Sequence, residues 1–191
     1  MKKKIDLMVT TQFIITLFYS ATNPYIFMNI MKNITNEYLA AAQIISCTSI
    51  VIFSTLWNKK SEKLFRFYPL FTIIETILYT ALLIYMLLFK LDLRLYYIAD
   101  CLICAIVTRQ LYCGCIKLKT LRYKKEKERE QYDNTKNIAV ALATLIGSGI
   151  AVILKLPIEL MIVISFIGTV IDNGLYLIIY YKALNQKSIG G

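Results

Sequence analysis

The chain has 191 residues, 58% of them apolar and 18% charged, with 22 Lys+Arg against 12 Asp+Glu and a net charge of +10. A soluble domain is about 45–50% apolar and about 25% charged. The composition therefore excludes an ordinary soluble globular protein, a disordered chain and a disulfide-rich secreted module, and points to an all-α, polytopic membrane protein. There is no histidine, which removes a histidine general base, Cys–His and Ser–His pairs, HExxH zinc chemistry and histidine-ligated haem.

Crossing a hydrocarbon core takes about 20 helical residues. Six stretches qualify: 7–31, 38–57, 68–89, 95–116, 137–154 and 157–181. They predict a single six-helix transmembrane domain over residues 1–191. The opening MKKKIDLMVTTQFIITLF has the basic start of a signal peptide, but its apolar run continues past Pro24 to Met31 without a clear small-residue cleavage site, so it reads as a retained first helix. Along that helix Gln12, Thr16, Ser20 and Asn23 recur at three- to four-residue spacing and share one predicted face. A polar stripe on a lipid-crossing helix belongs inside a bundle or along a cavity. Asn23-Pro24 is expected to interrupt the backbone ladder and kink the helix. The second helix carries a weaker set, Gln43, Ser46, Cys47 and Ser49. The 58–67 stretch that follows reads as a loop.

A charge at the centre of a lipid-crossing helix costs about 2.5–3.5 kcal/mol, so each one invites an explanation. Glu75 in the third helix has Phe71, Thr72 and Tyr79 at helical spacing and is placed to contact another helix or Arg109. Asp100 lies near the outer surface, where it can be hydrated. Arg109, about 12 Å from the cytoplasmic end of the fourth helix, either snorkels to the headgroups or serves a polar role in a cavity. Cys101 and Cys104 form a CxxC, but Asp100 beside them opposes thiolate formation. The five cysteines all fall in apolar segments and read as small fillers rather than a disulfide framework.

The long connection KLKTLRYKKEKEREQYDNTK (117–136) alternates charge over Lys124–Glu130 and reads as a solvated amphipathic helix along the cytoplasmic face. Small residues in the fifth helix (Ala139, Ala141, Ala143, Gly147, Ser148, Gly149) predict close helix packing, or in a sharper version a rocking surface. Pro157 suits the first turn of the sixth helix after a tight hairpin. Near the middle of that helix stand Asp172 and Asn173, placed to line a water-filled path or pair across helices, with protonated burial of Asp172 as the alternative.

Lys and Arg are divided unequally between the two sides. Seventeen fall with the N-terminus, 58–67, 117–136 and the tail; four (Lys32, Lys90, Arg94, Lys155) fall on the other side. This predicts an integral protein of the cell membrane with both termini cytoplasmic. The charges lie between apolar blocks, so the expected partner is anionic lipid rather than nucleic acid.

LWNKKSEKLFRF (56–67), Arg109 with Gly114, and LATLIGSGIAVIL (142–154), together with the basic stretch after the fourth helix, resemble one six-helix half of a major facilitator superfamily transporter. Lys59, Lys60, Lys63 and Arg66 stand where that family has a Gly/Asp/Arg-rich loop, but its glycines and Asp are missing, as is the Gly-Pro of its fifth helix. The gating contacts that depend on the loop Asp do not carry over. The resemblance implies a transporter of a small solute, working as a parallel homodimer or with a second membrane subunit. Its path would be lined by Gln12, Thr16, Ser20, Asn23, Glu75, Arg109, Asp172 and Asn173. Weighed beside it are a substrate-binding subunit of a multi-component transporter, an intramembrane thiol enzyme using Cys101 and Cys104, and an accessory or immunity-type protein. Transport is the reading favoured here, with no catalytic residues, no cofactor and no metal; GxxxxGK[ST] is absent, so ATP hydrolysis within the chain is not expected.

Overall fold

The computed structural model describes residues 6–89, 92–154 and 156–189, and among them every regular element is helical. Six long helices follow one another: α1 (Leu7–Asn33), α2 (Asn36–Arg66), α3 (Tyr68–Leu88), α4 (Leu93–Arg122), α5 (Glu126–Leu154) and α6 (Ile158–Ile189). Five of them, α2 to α6, are long and apolar enough to cross a membrane. At 27 residues α1 is also long enough, but Gln12, Asn23 and its threonines make it more polar. Apolar side chains stand open to the surroundings, Leu145 at 72% and Ile153 at 79% exposure. Water would not tolerate so much uncovered apolar surface, whereas lipid covers it. These features are compatible with an integral membrane protein. Lys2, Lys3, Lys4, Lys90 and Lys155, which contribute to the orientation argument, lie outside the described residues.

The helices exceed the predicted spans at their charged ends, which corrects two expectations. The 58–67 stretch is not a loop: α2 runs on to Arg66 and leaves helical geometry only at Lys60 (φ −132°, ψ 28°). The 117–136 stretch is not a separate surface helix. α4 continues to Arg122 and α5 begins at Glu126, so three residues make the turn. Hydropathy ends at residue 116, but Lys, Glu, Arg and Gln are strong helix formers, and the fully buried Leu118 and the buried Tyr132 hold the extension in place. Glu126 and Glu128 sit favourably in the first turn of α5. Arg129 returns to the end of α4, donating Nε to the Tyr123 carbonyl at 2.8 Å and Nη2 to that of Lys124 at 3.1 Å. At about 1.5 Å per residue, the 30 residues of α4 measure about 45 Å, longer than a hydrocarbon core of about 30 Å.

The chain groups into two compact units. One comprises Met1–Pro24 and Leu118–Gly191, hence the first part of α1 with α5 and α6. Its α1 buries Met8, Thr11, Ile15 and Thr22. The Thr11 and Thr22 hydroxyls donate to the Leu7 and Phe18 carbonyls one turn back, so neither is left unsatisfied. On α5 the buried small residues are Ala143, Gly147 and Ala151, four apart. A Cβ on Gly147 would lie 2.7 Å from the Leu17 carbonyl oxygen and 3.1 Å from the Ala21 nitrogen, so the glycine is what lets α1 and α5 touch backbone to backbone. Gly168 of α6 leaves room for the Phe18 side chain of α1, whose Cβ would lie 2.8 Å from a Cβ placed there. Ala141, Ser148 and Gly149 are exposed and take no part.

The other unit, Tyr25–Lys117, holds the rest of α1 with α2, α3 and most of α4. Here α4 packs against both α2 and α3. Gly114 lies against the ring of Tyr68, whose side chain is 1% exposed. Trp57 Nε1 of α2 donates to Gln110 Oε1 of α4 at 2.6 Å, both residues buried.

Candidate functional site: two polar seams between apolar helices

In the first unit, α1 and α6 are joined by a set of side-chain contacts in antiparallel register. Gln12 Nε2 donates to the Tyr176 hydroxyl, the Tyr19 and Thr169 hydroxyls lie 3.2 Å apart, and Ser165 donates to Asn23 Oδ1 at 3.4 Å. Each step forward on α1 is matched by an equal step back on α6. Residues 12, 16, 19 and 23 form one helical stripe, and 165, 169, 172 and 176 form the facing one. This register sets Thr16 level with Asp172. Asp172 is half-buried with its Oδ1 out of solvent, and Asn173 beside it is buried. In an apolar medium each such contact is worth about 0.6 kcal/mol, with an upper value of about 1.7 kcal/mol. The seam therefore fixes register more than it supplies stability.

Ser20 departs from the predicted stripe. Its hydroxyl lies 2.6 Å from the Thr16 carbonyl and 3.2 Å from that of Ala143, so it turns toward α5 rather than α6. Tyr19 takes its place in the stripe.

The second seam runs between α3 and α4 in the other unit. The backbone of α4 widens into a π-turn over Cys104–Thr108, a feature frequent at functional sites. The Thr108 hydroxyl at its end donates to Glu75 Oε1 of α3, and Glu75 is only 4% exposed. One turn along α3, the Tyr79 hydroxyl donates to Asp100 Oδ1 at 2.8 Å, with Cys104 Sγ 3.4 Å from the same phenol oxygen. Asp100 is thus bound into the helix pair. Arg109 turns along its own helix, its guanidinium 5.3 Å from the centre of the Tyr112 ring. Cys101 and Cys104 are free thiols. Among the described residues no three His, Cys, Asp or Glu side chains are grouped to hold a metal ion.

At the charged end of the first unit, Asp6 accepts the Tyr123 hydroxyl, faces Arg122 Nη2 at 3.4 Å and caps the Met8 nitrogen at 2.9 Å. Tyr123 stacks on Tyr132, and Lys119 pairs with Asp133 at 2.6 Å. Burial, and then the Asp6 carboxylate, push the Tyr123 phenol above its usual range. A raised phenol pKa stabilises the fold fully below the unfolded value of about 10 and loses that contribution as pH rises through the folded value. The latch is thus intact at neutral pH.

Six of the eight sequence-derived candidates (Gln12, Thr16, Ser20, Asn23, Asp172, Asn173) fall in the first unit and two (Glu75, Arg109) in the second. The residues that sequence reasoning missed are the partners: Tyr19, Ser165, Thr169 and Tyr176 in one seam, and Thr108 in the other. No protein-family model, curated protein or solved structure matches this chain.

Proposed function

We propose that the chain is a membrane transporter of a small solute. The observation that carries the reading is Glu75: an ionisable side chain in the middle of an apolar helix, 4% exposed and bonded to the π-turn of its neighbour. Ionisable groups held inside lipid-crossing bundles typically serve ion and substrate pathways. The polar stripe shared by α1 and α6, with Asp172 within it, supports the same reading. In this proposal Gln12, Thr16, Asn23, Asp172 and Asn173 offer the polar lining of the first unit, and Glu75 with Arg109 that of the second. Ser20 serves helix packing. Two copies in parallel orientation would supply the twelve helices of a complete carrier of the major facilitator type.

The test is flux of a panel of organic ions and neutral solutes into proteoliposomes carrying the purified protein. Asp172→Asn and Glu75→Gln are each expected to cut the rate tenfold or more. Glu62→Gln, at an exposed ion pair, should leave it unchanged. Folded protein that moves nothing in the panel contradicts transport, and tight binding of one solute without flux points instead to a binding subunit of a larger transporter.

A further inference from the structure

The end of α2 carries an unusual concentration of uncompensated positive charge. Lys59, Lys60, Lys63 and Arg66 are all exposed, and none has an ion pair among the described residues. The one acid among them, Glu62, is taken by a fifth cation, Lys117 Nζ of α4, at 2.5 Å. Five cations therefore face one carboxylate. The helix breaks within this group, at Lys60. Past the break the segment is amphipathic: Phe65 is buried at 4% exposure, while the basic side chains stay outside. Phe67, which follows, is 45% exposed. The segment joins two helices long and apolar enough to cross a membrane. That position puts its cations at headgroup depth, with an aromatic ring beside them.

A second run of four cations supplies the contrast. Lys124, Lys125, Lys127 and Arg129 are interleaved with Glu126, Glu128 and Glu130. Arg129 is spent on the carbonyls that end α4. Basic residues next to a membrane attract anionic lipid in proportion to their uncompensated charge, and by that measure the α2 end is fitted to it and the 124–130 run is not.

We propose that the kinked α2 end, Lys59–Arg66, is a binding surface for the phosphate headgroups of anionic phospholipid. The occupant is the lipid itself. A free phosphate would contact the same cations but could not also place acyl chains against Phe67 and the apolar flank of the helix. The proposal does not rest on the transport reading, and its test does not use flux.

Full-length protein is placed in nanodiscs of phosphatidylcholine alone, or of phosphatidylcholine with phosphatidylglycerol. Thermal unfolding and the number of phosphatidylglycerol molecules retained on gentle extraction are then measured. Wild type should be stabilised by phosphatidylglycerol and retain it. K59Q/K60Q/K63Q/R66Q should lose most of both effects, at roughly fivefold in affinity per cation removed. K124Q/K125Q/K127Q should keep them. These side chains are all exposed, so unfolding in phosphatidylcholine alone should be unchanged; if the quadruple variant does not fold, K60Q/K63Q is expected to show about half the loss. Equal losses in the two multiple variants, or no response of wild type to phosphatidylglycerol, overturn the proposal. So does stabilisation by free glycerol phosphate that matches the lipid effect.

Discussion

Gly147→Ala should destabilise the protein by about 1–3 kcal/mol, whereas Gly149→Ala, two residues along the same helix, should be neutral or stabilising. The added methyl at 147 meets the Leu17 carbonyl oxygen and the Ala21 nitrogen. Both are backbone atoms, so no rotamer change relieves the contact and α1 must move away from α5, which has the cost of an overpacked core. At 149 nothing lies within 4 Å of the new methyl. There the substitution only removes the entropy penalty of a helical glycine, about 0.5–1 kcal/mol. Thermal unfolding of both variants in one detergent provides the comparison. Equal behaviour would show that α1 and α5 do not approach through Gly147.

The second large effect belongs to Tyr68 and Gly114. Tyr68→Ala should cost about 2–3 kcal/mol. Burial of an aromatic ring in a soluble core is worth about 3–5 kcal/mol, but lipid is as apolar as the protein interior, so the transfer part shrinks and the cavity part remains. Gly114→Val should cost about 1–3 kcal/mol, because its Cβ runs into the edge of the Tyr68 ring. The two changes are complementary, one emptying the space the other fills. The double variant should therefore be more stable than the sum of the singles by at least about 1 kcal/mol. Strict additivity would mean that the residues are not in contact.

Much of this architecture was legible in the chain. Apolar runs of about 20 residues located the helices, and three- to four-residue spacing picked out Gln12 and Asn23 as one face of α1. The same spacing admitted Ser20, whose hydroxyl turns to the Ala143 carbonyl of α5. On a helix of 3.6 residues per turn, residue 19 lies about 40° to one side of the centre of the 12–16–23 stripe and residue 20 about 60° to the other, the side that α5 occupies. Tyr19 was overlooked because its ring looks apolar and its hydroxyl shows only in context. Ser165, Thr169 and Tyr176 are scattered in an oily run, but their spacing with Asp172 repeats that of the α1 stripe and could have been found. The π-turn at Cys104–Thr108 has no signature in residue type; it lies where α4 packs against both α2 and α3. The helix ends were underestimated because hydropathy marks where lipid stops, whereas Leu118, Tyr132 and a run of strong helix formers carry the backbone several turns further.

Polar side chains of α1 meet those of α6 in a fixed antiparallel register. Disulfide formation in native membranes reads this register, using pairs introduced into a background with the five native cysteines replaced. Efficient cross-linking is expected of Asn23→Cys with Ser165→Cys and of Tyr19→Cys with Thr169→Cys, and little for the mismatched pair Tyr19→Cys with Ser165→Cys. Failure of both matched pairs, or preference for the mismatched one, would contradict it.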